Sequence, residues 1–204
     1  PLRHDAPDLA LIDRIEARYA AHGLPPAWRL PDDDAFRGLH GALAVRGYRR
    51  LKSTFTQTGD AHAMAGHTRQ PPAAIATAPD AGWASVFLGE GFDPVDGASR
   101  VQALSRAAGT LFASVRDEVD GGTLAAGAMA FGHGWASVHG MRTAQSARGR
   151  GLAGQVLAGL ARAALDRGIA RVFLQVETGN PGAISLYRRA GFQTAWTYAY
   201  WQHA

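Results

Sequence analysis

Three glycines in the segment "ARGRGLAG" (residues 147–154) have the spacing G-x-G-x-x-G, which is typical of a loop that binds phosphate. Successive backbone N–H groups at a helix N-terminus, with no Cβ in the way, form an anion cradle that the helix dipole strengthens. Arg148 and Arg150 lie among these glycines and can add charge-assisted contacts. The segment therefore predicts a site for a phosphorylated ligand.

One interpretation of the loop is a dinucleotide-binding turn, in which an acidic residue about twenty positions later holds a ribose. Glu177 comes close to that position. However, residues 144–147 separate the glycines from the preceding strand, and three hairpin-linked strands come before the loop instead of alternating strands and helices. This order disfavours an NAD(P)-binding oxidoreductase, which is kept as a remote alternative.

A second motif follows the loop. The segment "LQVETGNPGAISLYRRAGF" (residues 174–192) contains the pattern N-x-x-A-x-x-x-Y followed by G-F, and residues 148–153 match [QR]-x-x-G-x-[GA]. With both motifs in this element order, the chain resembles the GNAT superfamily of acyl-CoA-dependent N-acyltransferases. The clear resemblance covers residues 135–201, and a compatible core extends back to Trp83. One departure is Gln145, where the family often has a proline, and this loss affects the stiffness of the turn more than its chemistry.

The resemblance implies that acetyl-CoA is the cosubstrate and that the glycine loop holds its pyrophosphate. The residues implied for this contact are Arg148, Gly149, Arg150, Gly151, Leu152 and Ala153. The pantetheine arm would pair with the backbone of Met141 and Thr143, where one N–H would polarise the thioester carbonyl. The Met141 side chain is predicted to pack in the core. Asn180 would either contact the cofactor arm or cap the helix that follows it.

The resemblance also implies that Tyr187 contacts the cofactor and is the general acid that protonates the departing CoA thiolate. Glu177, at the end of a strand beside the cofactor cleft, is the first candidate for the general base. His139 is the second, because histidine titrates near neutral pH. The alternative for Glu177 is a solvated side chain without a catalytic role, and the alternative for His139 is a histidine that only forms hydrogen bonds within the sheet. No group of His, Asp and Glu residues has the spacing of metal ligands, so no metal site is predicted.

Apolar periodicity predicts the elements that must position these groups. Helices are predicted over residues 7–22, from Asp33 or Asp34 to Gly47, and over residues 97–108, 150–167 and 181–190. Strands are predicted over residues 50–58, 110–119, 121–132, 134–143, 170–178 and 192–201. Residues 24–33 and 59–81 are predicted as connections, and residues 83–90 as either a helix or a strand. The predicted fold class is α+β, with a mixed, mostly antiparallel central sheet that is flanked by helices and splayed at the acyl-CoA site.

Composition excludes several classes of protein. The chain has no cysteine, which excludes disulfides and thiolate metal sites. The formal net charge is +4, but the arginines are scattered singly and in pairs, without the basic stripe typical of nucleic-acid binding. The longest apolar run, Leu124–Phe131, is too short to cross a bilayer, and the opening residues lack a signal-peptide pattern. These features predict a soluble, cytoplasmic protein with no nucleic-acid or membrane partner.

We expect a GNAT acetyltransferase domain over residues 83–204 and an N-terminal region over residues 1–82 whose role is open. A faint echo between residues 42–58 and 185–201 makes a degenerate GNAT-like lobe one alternative for that region, and a lid or a dimer arm are the others. Trp196, Tyr198 and Tyr200 alternate along the closing strand and predict a core face, with a pocket wall or a homodimer seam as alternatives.

The predicted function is transfer of an acetyl group from acetyl-CoA to a primary amine by direct attack in a ternary complex. The acceptor is a small-molecule or peptide amine that the sequence does not identify. A direct transfer needs no serine or cysteine nucleophile, which fits a chain without cysteine. The alternative from another class is a non-catalytic acyl-CoA-binding or sensing module.

Overall fold

The computed structural model describes residues 7–203; residues 1–6, on which part of the signal-peptide prediction rests, and Ala204 lie outside it. In this part of the chain, seven α-helices flank one eight-stranded sheet. The helices are α1 (Leu11–Ala20), α2 (Arg37–Val45), α3 (Ala61–Gly66), α4 (Ala81–Leu88), α5 (Pro94–Ser105), α6 (Leu152–Leu165) and α7 (Pro181–Arg189). The strands are β1 (Ala27–Pro31), β2 (Tyr48–Asp60), β3 (Ala74–Ala76), β4 (Leu111–Arg116), β5 (Thr123–Gly132), β6 (Trp135–Thr143), β7 (Arg171–Glu177) and β8 (Gln193–His203).

The sheet has the strand order β1-β8-β2-β7-β6-β5-β4-β3. The pairs β1–β8, β3–β4, β4–β5 and β5–β6 are antiparallel, whereas β6 and β7 are parallel. The predicted mixed, mostly antiparallel sheet flanked by helices is therefore confirmed. The described chain divides into two compact units, the first with residues 7–56, 176–181 and 194–203, and the second with residues 57–175 and 182–193.

The first unit has a core of apolar residues from α1, α2, β1, β2 and β8. Its predicted helices are confirmed, and Asp33 caps the 3₁₀ turn before α2 by accepting a hydrogen bond from Ala35 N at 2.8 Å. The prediction that residues 24–33 form only a connection is wrong, because β1 pairs with β8 from Ala27 to Pro31. A strand at the edge of a sheet tolerates proline, since its outer N–H groups need no partner strand.

The second unit corrects the prediction that residues 59–81 form a loop, because α3 and β3 lie within that range. Asp60 caps α3 by accepting hydrogen bonds from His62 N at 2.8 Å and Ala63 N at 3.3 Å, and the helix buries Met64. β3 has only three residues and pairs with β4. Both elements are short and depend on tertiary contacts, which is why periodicity did not reveal them.

Helices cover both faces of β5 in the second unit. On one face, α4 inserts Trp83, whose indole Nε1 donates a hydrogen bond to Gly127 O at 3.0 Å. The Trp83 ring also packs against Phe87 and Phe112, with centroids at 4.6 and 5.1 Å. α4 resolves the undecided prediction for residues 83–90 in favour of a helix. On the other face, α6 buries Val156, Leu157 and Leu160 completely.

A β-bulge divides β6 into a paired and a diverging part. Ala126 on β5 pairs with Arg142 and Ala128 pairs with His139, so that Gly140 and Met141 lie opposite the single residue Gly127. Gly140 has a φ of +58°, and a Cβ there would come within 2.8 Å of Leu104 Cδ1. Bulges bend a strand and increase its twist. The parallel pairing of β6 with β7 extends from Ala136 to Val138, and β6 then continues to Thr143. The two strands therefore no longer pair beyond Val138, and this separation is the splay expected for the predicted fold.

Gly159 tests how closely the second unit is packed, and Gly41 in the first unit is its control. A Cβ on Gly159 in α6 would lie 2.6 Å from the backbone oxygen of Ala73, whereas a Cβ on Gly41 in α2 meets nothing within 4 Å. We expect Gly159→Ala to lower the free energy of unfolding by about 1–3 kcal/mol, because the backbone before β3 must move. Gly41→Ala is the matched control and should raise it by about 0.5–1 kcal/mol. Urea unfolding followed by circular dichroism measures both, and an unchanged or raised stability of Gly159→Ala would contradict the packing described here.

Candidate functional site

The glycine loop runs from a 3₁₀ turn (Gln145–Ala147) to the first residue of α6. Gly149 and Gly151 both have a φ of +79°, a conformation that favours glycine. Gly151 is the N-cap residue of α6 and offers no side chain to the first amides of the helix. A Cβ on Gly149 would meet nothing within 4 Å, so the backbone there is open to a ligand. An uncapped helix N-terminus next to an open glycine loop fits a phosphate group.

Residues that precede β3 hold the loop in shape from behind. The side-chain amide of Gln70 donates to Arg150 O at 3.3 Å and accepts a hydrogen bond from Gln155 Nε2 at 3.0 Å. Ala73 N donates to Gln155 O at 2.9 Å. These contacts join positions 80 or more residues apart, so sequence reasoning had no local signal for Gln70. Arg148, Gly149, Arg150 and Gly151 remain exposed, while Leu152 is buried and Ala153 half-buried.

The diverging part of β6 contains the two residues predicted to meet the pantetheine arm. Met141 and Thr143 are both half-buried, and Met141 lies at the bulge. A Cβ on Gly127 would lie 2.8 Å from Met141 Sδ and 2.7 Å from Val156 Cγ1, so the Met141 side chain packs toward α6. In the described structure, the β6 backbone after Val138 no longer pairs with β7.

Tyr187 is the buried residue of α7, with 6% of its surface exposed. Its ring packs edge-on against Phe192 at a centroid distance of 6.0 Å. Burial raises the pKa of the Tyr187 phenol to about 12, although the positive charge of Arg142 acts in the opposite direction. The phenol therefore keeps its proton at neutral pH and is available as a hydrogen-bond donor.

His139 is half-buried on β6, beside the bulge. Its Nε2 lies 2.7 Å from Ser137 Oγ, and this hydroxyl donates to Ala130 O at 3.3 Å. Burial lowers the pKa of His139 below 6.5, so the ring is neutral at pH 7 and can accept a proton.

Glu177 and Asn180 belong to the first compact unit, whereas the glycine loop, β6 and Tyr187 belong to the second. Glu177 is the last residue of β7, and its carbonyl accepts a hydrogen bond from Asn180 N at 3.0 Å. Thr178 N donates to Ser53 O at 2.9 Å and ties this turn to β2. The Glu177 and Asn180 side chains are exposed, immediately before the start of α7.

A model of the acetyltransferase (GNAT) family matches residues 82–192, which is more than half of the chain. The chain belongs to this family. The matched range contains the loop, β6 and Tyr187. Comparison with curated proteins gives no match.

Solved structures show the GNAT fold over nearly the whole chain. A GCN5-related N-acetyltransferase from Kribbella flavida is 20% identical, with alignment over 96% of this chain and 74% of its own and a TM-score of 0.71. A functionally unknown conserved protein from Staphylococcus epidermidis is 12% identical, with coverages of 97% and 81% and a TM-score of 0.72. A tandem GNAT protein from the clavulanic acid biosynthesis pathway is 16% identical, with coverages of 94% and 68% and a TM-score of 0.68. At these identities the structures show the fold alone.

The structure of this GNAT chain adds Arg142 to the candidate site residues, and the sequence alone did not indicate it. Arg142 lies on β6 between Met141 and Thr143, and its guanidinium carbon is 4.8 Å from the Phe92 ring centroid. Its side chain is 25% exposed, so most of it lies within the protein. The motifs of the sequence do not include this position, and a single arginine among many gave no signal.

The closing strand of this GNAT fold only partly follows its sequence prediction. Tyr198 is buried, with the Arg29 guanidinium carbon 3.9 Å from its ring centroid, whereas Trp196 is 53% exposed. The core prediction is confirmed for Tyr198 and wrong for Trp196. Among residues 7–203, no cluster of three or more His, Cys, Asp or Glu side chains could hold a metal ion. None of the described helices has the length and apolarity to cross a membrane.

Proposed function

We propose that this GNAT chain is an N-acetyltransferase that transfers an acetyl group from acetyl-CoA to a primary amine. The observation that carries the proposal is the open glycine loop at the uncapped start of α6, within the matched GNAT region. The backbone amides of Arg148–Ala153 would bind the pyrophosphate, and the exposed side chains of Arg148 and Arg150 would add charge-assisted contacts. When bound, acetyl-CoA supplies a thioester that an amine can attack directly.

The β6 backbone would bind and activate the acyl group in this proposal. Bulge geometry at Gly140 and Met141 turns the strand away from its β7 ladder, which leaves backbone groups of Met141 and Thr143 for an extended arm. A backbone N–H in this part of β6 is a fixed donor and would stabilise negative charge on the carbonyl oxygen. Asn180 would help to hold the arm or cap α7.

Tyr187 would donate a hydrogen bond to the leaving sulfur. Its pKa of about 12 is above that of a typical thiol, which is about 8.5, so complete proton transfer to a free thiolate is uphill in this environment. Tyr187 therefore stabilises the sulfur chiefly as a hydrogen-bond donor, and the positive charge of Arg142 favours movement of its proton.

Acetyl-CoA binding is the first test of the proposed function. Calorimetric titration with acetyl-CoA should give saturable binding, and parallel titrations with NADH and NADPH should give none. Binding of a nicotinamide nucleotide without binding of acetyl-CoA would overturn the proposal. The cytoplasmic location, a homodimer and the division of the chain into residues 1–82 and 83–204 stay predictions from the sequence.

The two glycines that flank α6 provide a matched pair of variants for the loop. Gly149 and Gly168 have φ values of +79° and +70°, and a Cβ on either meets nothing within 4 Å. We expect both alanine variants to lose about 1–2 kcal/mol of folding free energy, because both carry the same backbone strain. Only Gly149→Ala should also weaken acetyl-CoA binding, by about tenfold or more, as measured by calorimetry. Equal acetyl-CoA affinities in the two variants would place the pyrophosphate elsewhere.

Tyr187→Phe separates an enzyme from a binding module. The variant removes one hydroxyl and keeps the ring that packs against Phe192. We expect kcat to fall about 10²-fold, because the leaving sulfur loses its donor. The calorimetric Kd for acetyl-CoA should stay within about twofold of the parent value, since no binding contact of the loop changes. Unchanged turnover would remove Tyr187 from the mechanism, and absence of amine acetylation in the parent protein would favour a non-catalytic acyl-CoA-binding module.

Glu177 and His139 are the two proposed general bases, and the pH dependence of kcat/KM distinguishes them. Because burial lowers the pKa of His139, a reaction that uses His139 should keep its rate to a lower pH than an ordinary histidine allows and lose it as the pH falls further. His139→Asn should then lower kcat by about 10²-fold and remove this acid limb, while Glu177→Gln should have little effect. The opposite ranking of the two variants, measured over pH 5–9, would identify Glu177 as the base.

A further inference from the structure

Arg142 lies among aromatic and charged groups of the second unit. Strand neighbours point to opposite faces of a sheet, and Met141 points toward α6, so Arg142 points toward α4 and α5. Its guanidinium carbon is 4.8 Å from the ring centroid of Phe92 and 5.9 Å from that of Phe87. Phe92 also lies beneath Arg148 of the glycine loop, at 5.8 Å. Arg142 therefore lies beside the loop, on the sheet face opposite α6.

The described contacts of Arg142 leave its charge weakly compensated. Asp96 is 3.8 Å from Arg142 Nη2, but the same carboxylate oxygen accepts a hydrogen bond from Arg100 Nε at 2.6 Å. One carboxylate therefore faces two guanidinium groups, with Arg148 as a third positive charge nearby. Burial, followed by the charge of Arg100, lowers the pKa of Arg142, so its surroundings disfavour the cation.

The hydrogen-bond donors of Arg142 also lack good partners among residues 7–203. Its Nε is buried without an acceptor, and its Nη1 reaches Met141 O only at 3.5 Å. Both this contact and the 3.8 Å approach to Asp96 exceed the usual range for N–H···O hydrogen bonds. A largely buried guanidinium normally has an acidic partner or a full set of acceptors. The geometry fits a group that completes its hydrogen bonds with an anionic ligand.

The catalytic tyrosine candidate is close enough to sense this charge. Arg142 lowers the pKa of Tyr187, and Tyr187 in turn raises that of Arg142. Arg142 also directly follows Met141 on β6, whose backbone is proposed to meet the acyl arm. An anion on Arg142 would therefore lie near the end of the site where acetyl transfer is proposed. The guanidinium fork matches a carboxylate through two parallel hydrogen bonds, and this arrangement gives specificity as well as affinity.

We propose that Arg142 binds an anionic group of the acceptor, so that the acceptor is an amine with a nearby carboxylate, as in an amino acid. This inference rests on the proposed acetyltransferase function and narrows its substrate class. The same anion chemistry could come from a phosphate of acetyl-CoA, and the experiment must distinguish these two sources.

The test compares acceptors that differ only in the carboxylate. The panel contains the common L-amino acids, their amides and the amines that lack the carboxylate, and release of the CoA thiol measures kcat/KM. We expect the carboxylate forms to exceed their uncharged partners by at least about tenfold. Arg142→Met should lower kcat/KM for the carboxylate forms about 10–100-fold more than for the amides and the amines that lack the carboxylate, because any effect of its charge on Tyr187 is common to all acceptors. Equal values for both forms in the parent protein would overturn the inference.

Arg171→Met is the matched control for loss of a stacked arginine. The Arg171 guanidinium carbon is 5.1 Å from the Trp135 ring centroid, and its Nε donates to Gly134 O at 3.3 Å, at the opposite end of β7 from Glu177. This variant should leave the carboxylate preference intact. Calorimetry with acetyl-CoA completes the comparison, since a loss of acetyl-CoA affinity in Arg142→Met alone, with all amines affected alike, would assign the anion to the cofactor and overturn the inference.

A binding measurement separates failure of this inference from failure of the proposed function. The acceptor panel is titrated calorimetrically into the parent protein and Arg142→Met, both saturated with CoA. Carboxylate-dependent binding that requires Arg142, without acetyl transfer, would support anion recognition and defeat the acetyltransferase proposal. Acetyl transfer to amines without any carboxylate preference would support the acetyltransferase and defeat anion recognition. Absence of carboxylate-dependent binding in both proteins would also defeat anion recognition.

Discussion

The β-bulge at Gly140 and Met141 is the constraint on which the candidate site depends. Two residues of β6 lie opposite one residue of β5, and the β6–β7 ladder ends at Val138. Without the extra residue, β6 could remain parallel to β7, and the backbone predicted to bind the acyl arm would be used in the ladder. This geometry requires glycine at position 140, because the Cβ of any other residue would collide with Leu104 and Phe87 of the packed helices.

Helices α3, α4 and α5 of the second unit begin with a capping aspartate, whereas α6 does not. Asp60, Asp80 and Asp93 each accept hydrogen bonds from the first amides of α3, α4 and α5. An aspartate in this position satisfies the amides and repels an external anion. Helix α6 begins instead with Gly151, which leaves its first amides without a side-chain cap. The chain therefore keeps one helix dipole of this set accessible, and it is the one that follows the glycine loop.

The sequence predicted the parts of the site that depend on local chemistry. Glycine spacing identified the loop because Gly149 and Gly151 need a positive φ, and alternation identified β4, β5 and β6. It did not reveal the contacts of Gln70, since they join residues far apart in the chain. Strand β1 was missed because its pairing with β8 outweighs the local effect of Pro31 and of the two prolines that precede the strand. Arg142 was missed because its importance lies in a positive charge and hydrogen-bond donors that its neighbours satisfy only in part. Those neighbours are known only from the three-dimensional structure.

The echo between the two helix–glycine–strand segments has a simpler physical explanation than duplication. Gly47 follows α2 with a φ of +85°, and Gly191 follows α7 with a φ of +88°. Left-handed glycine is a common way to end a helix, so two such ends require no common origin. A second functional lobe would also need its own anion cradle. Helix α3 begins with the carboxylate of Asp60, and residues before it contain no G-x-G-x-x-G pattern. Residues 1–82 therefore lack the glycine pattern on which the α6 loop depends.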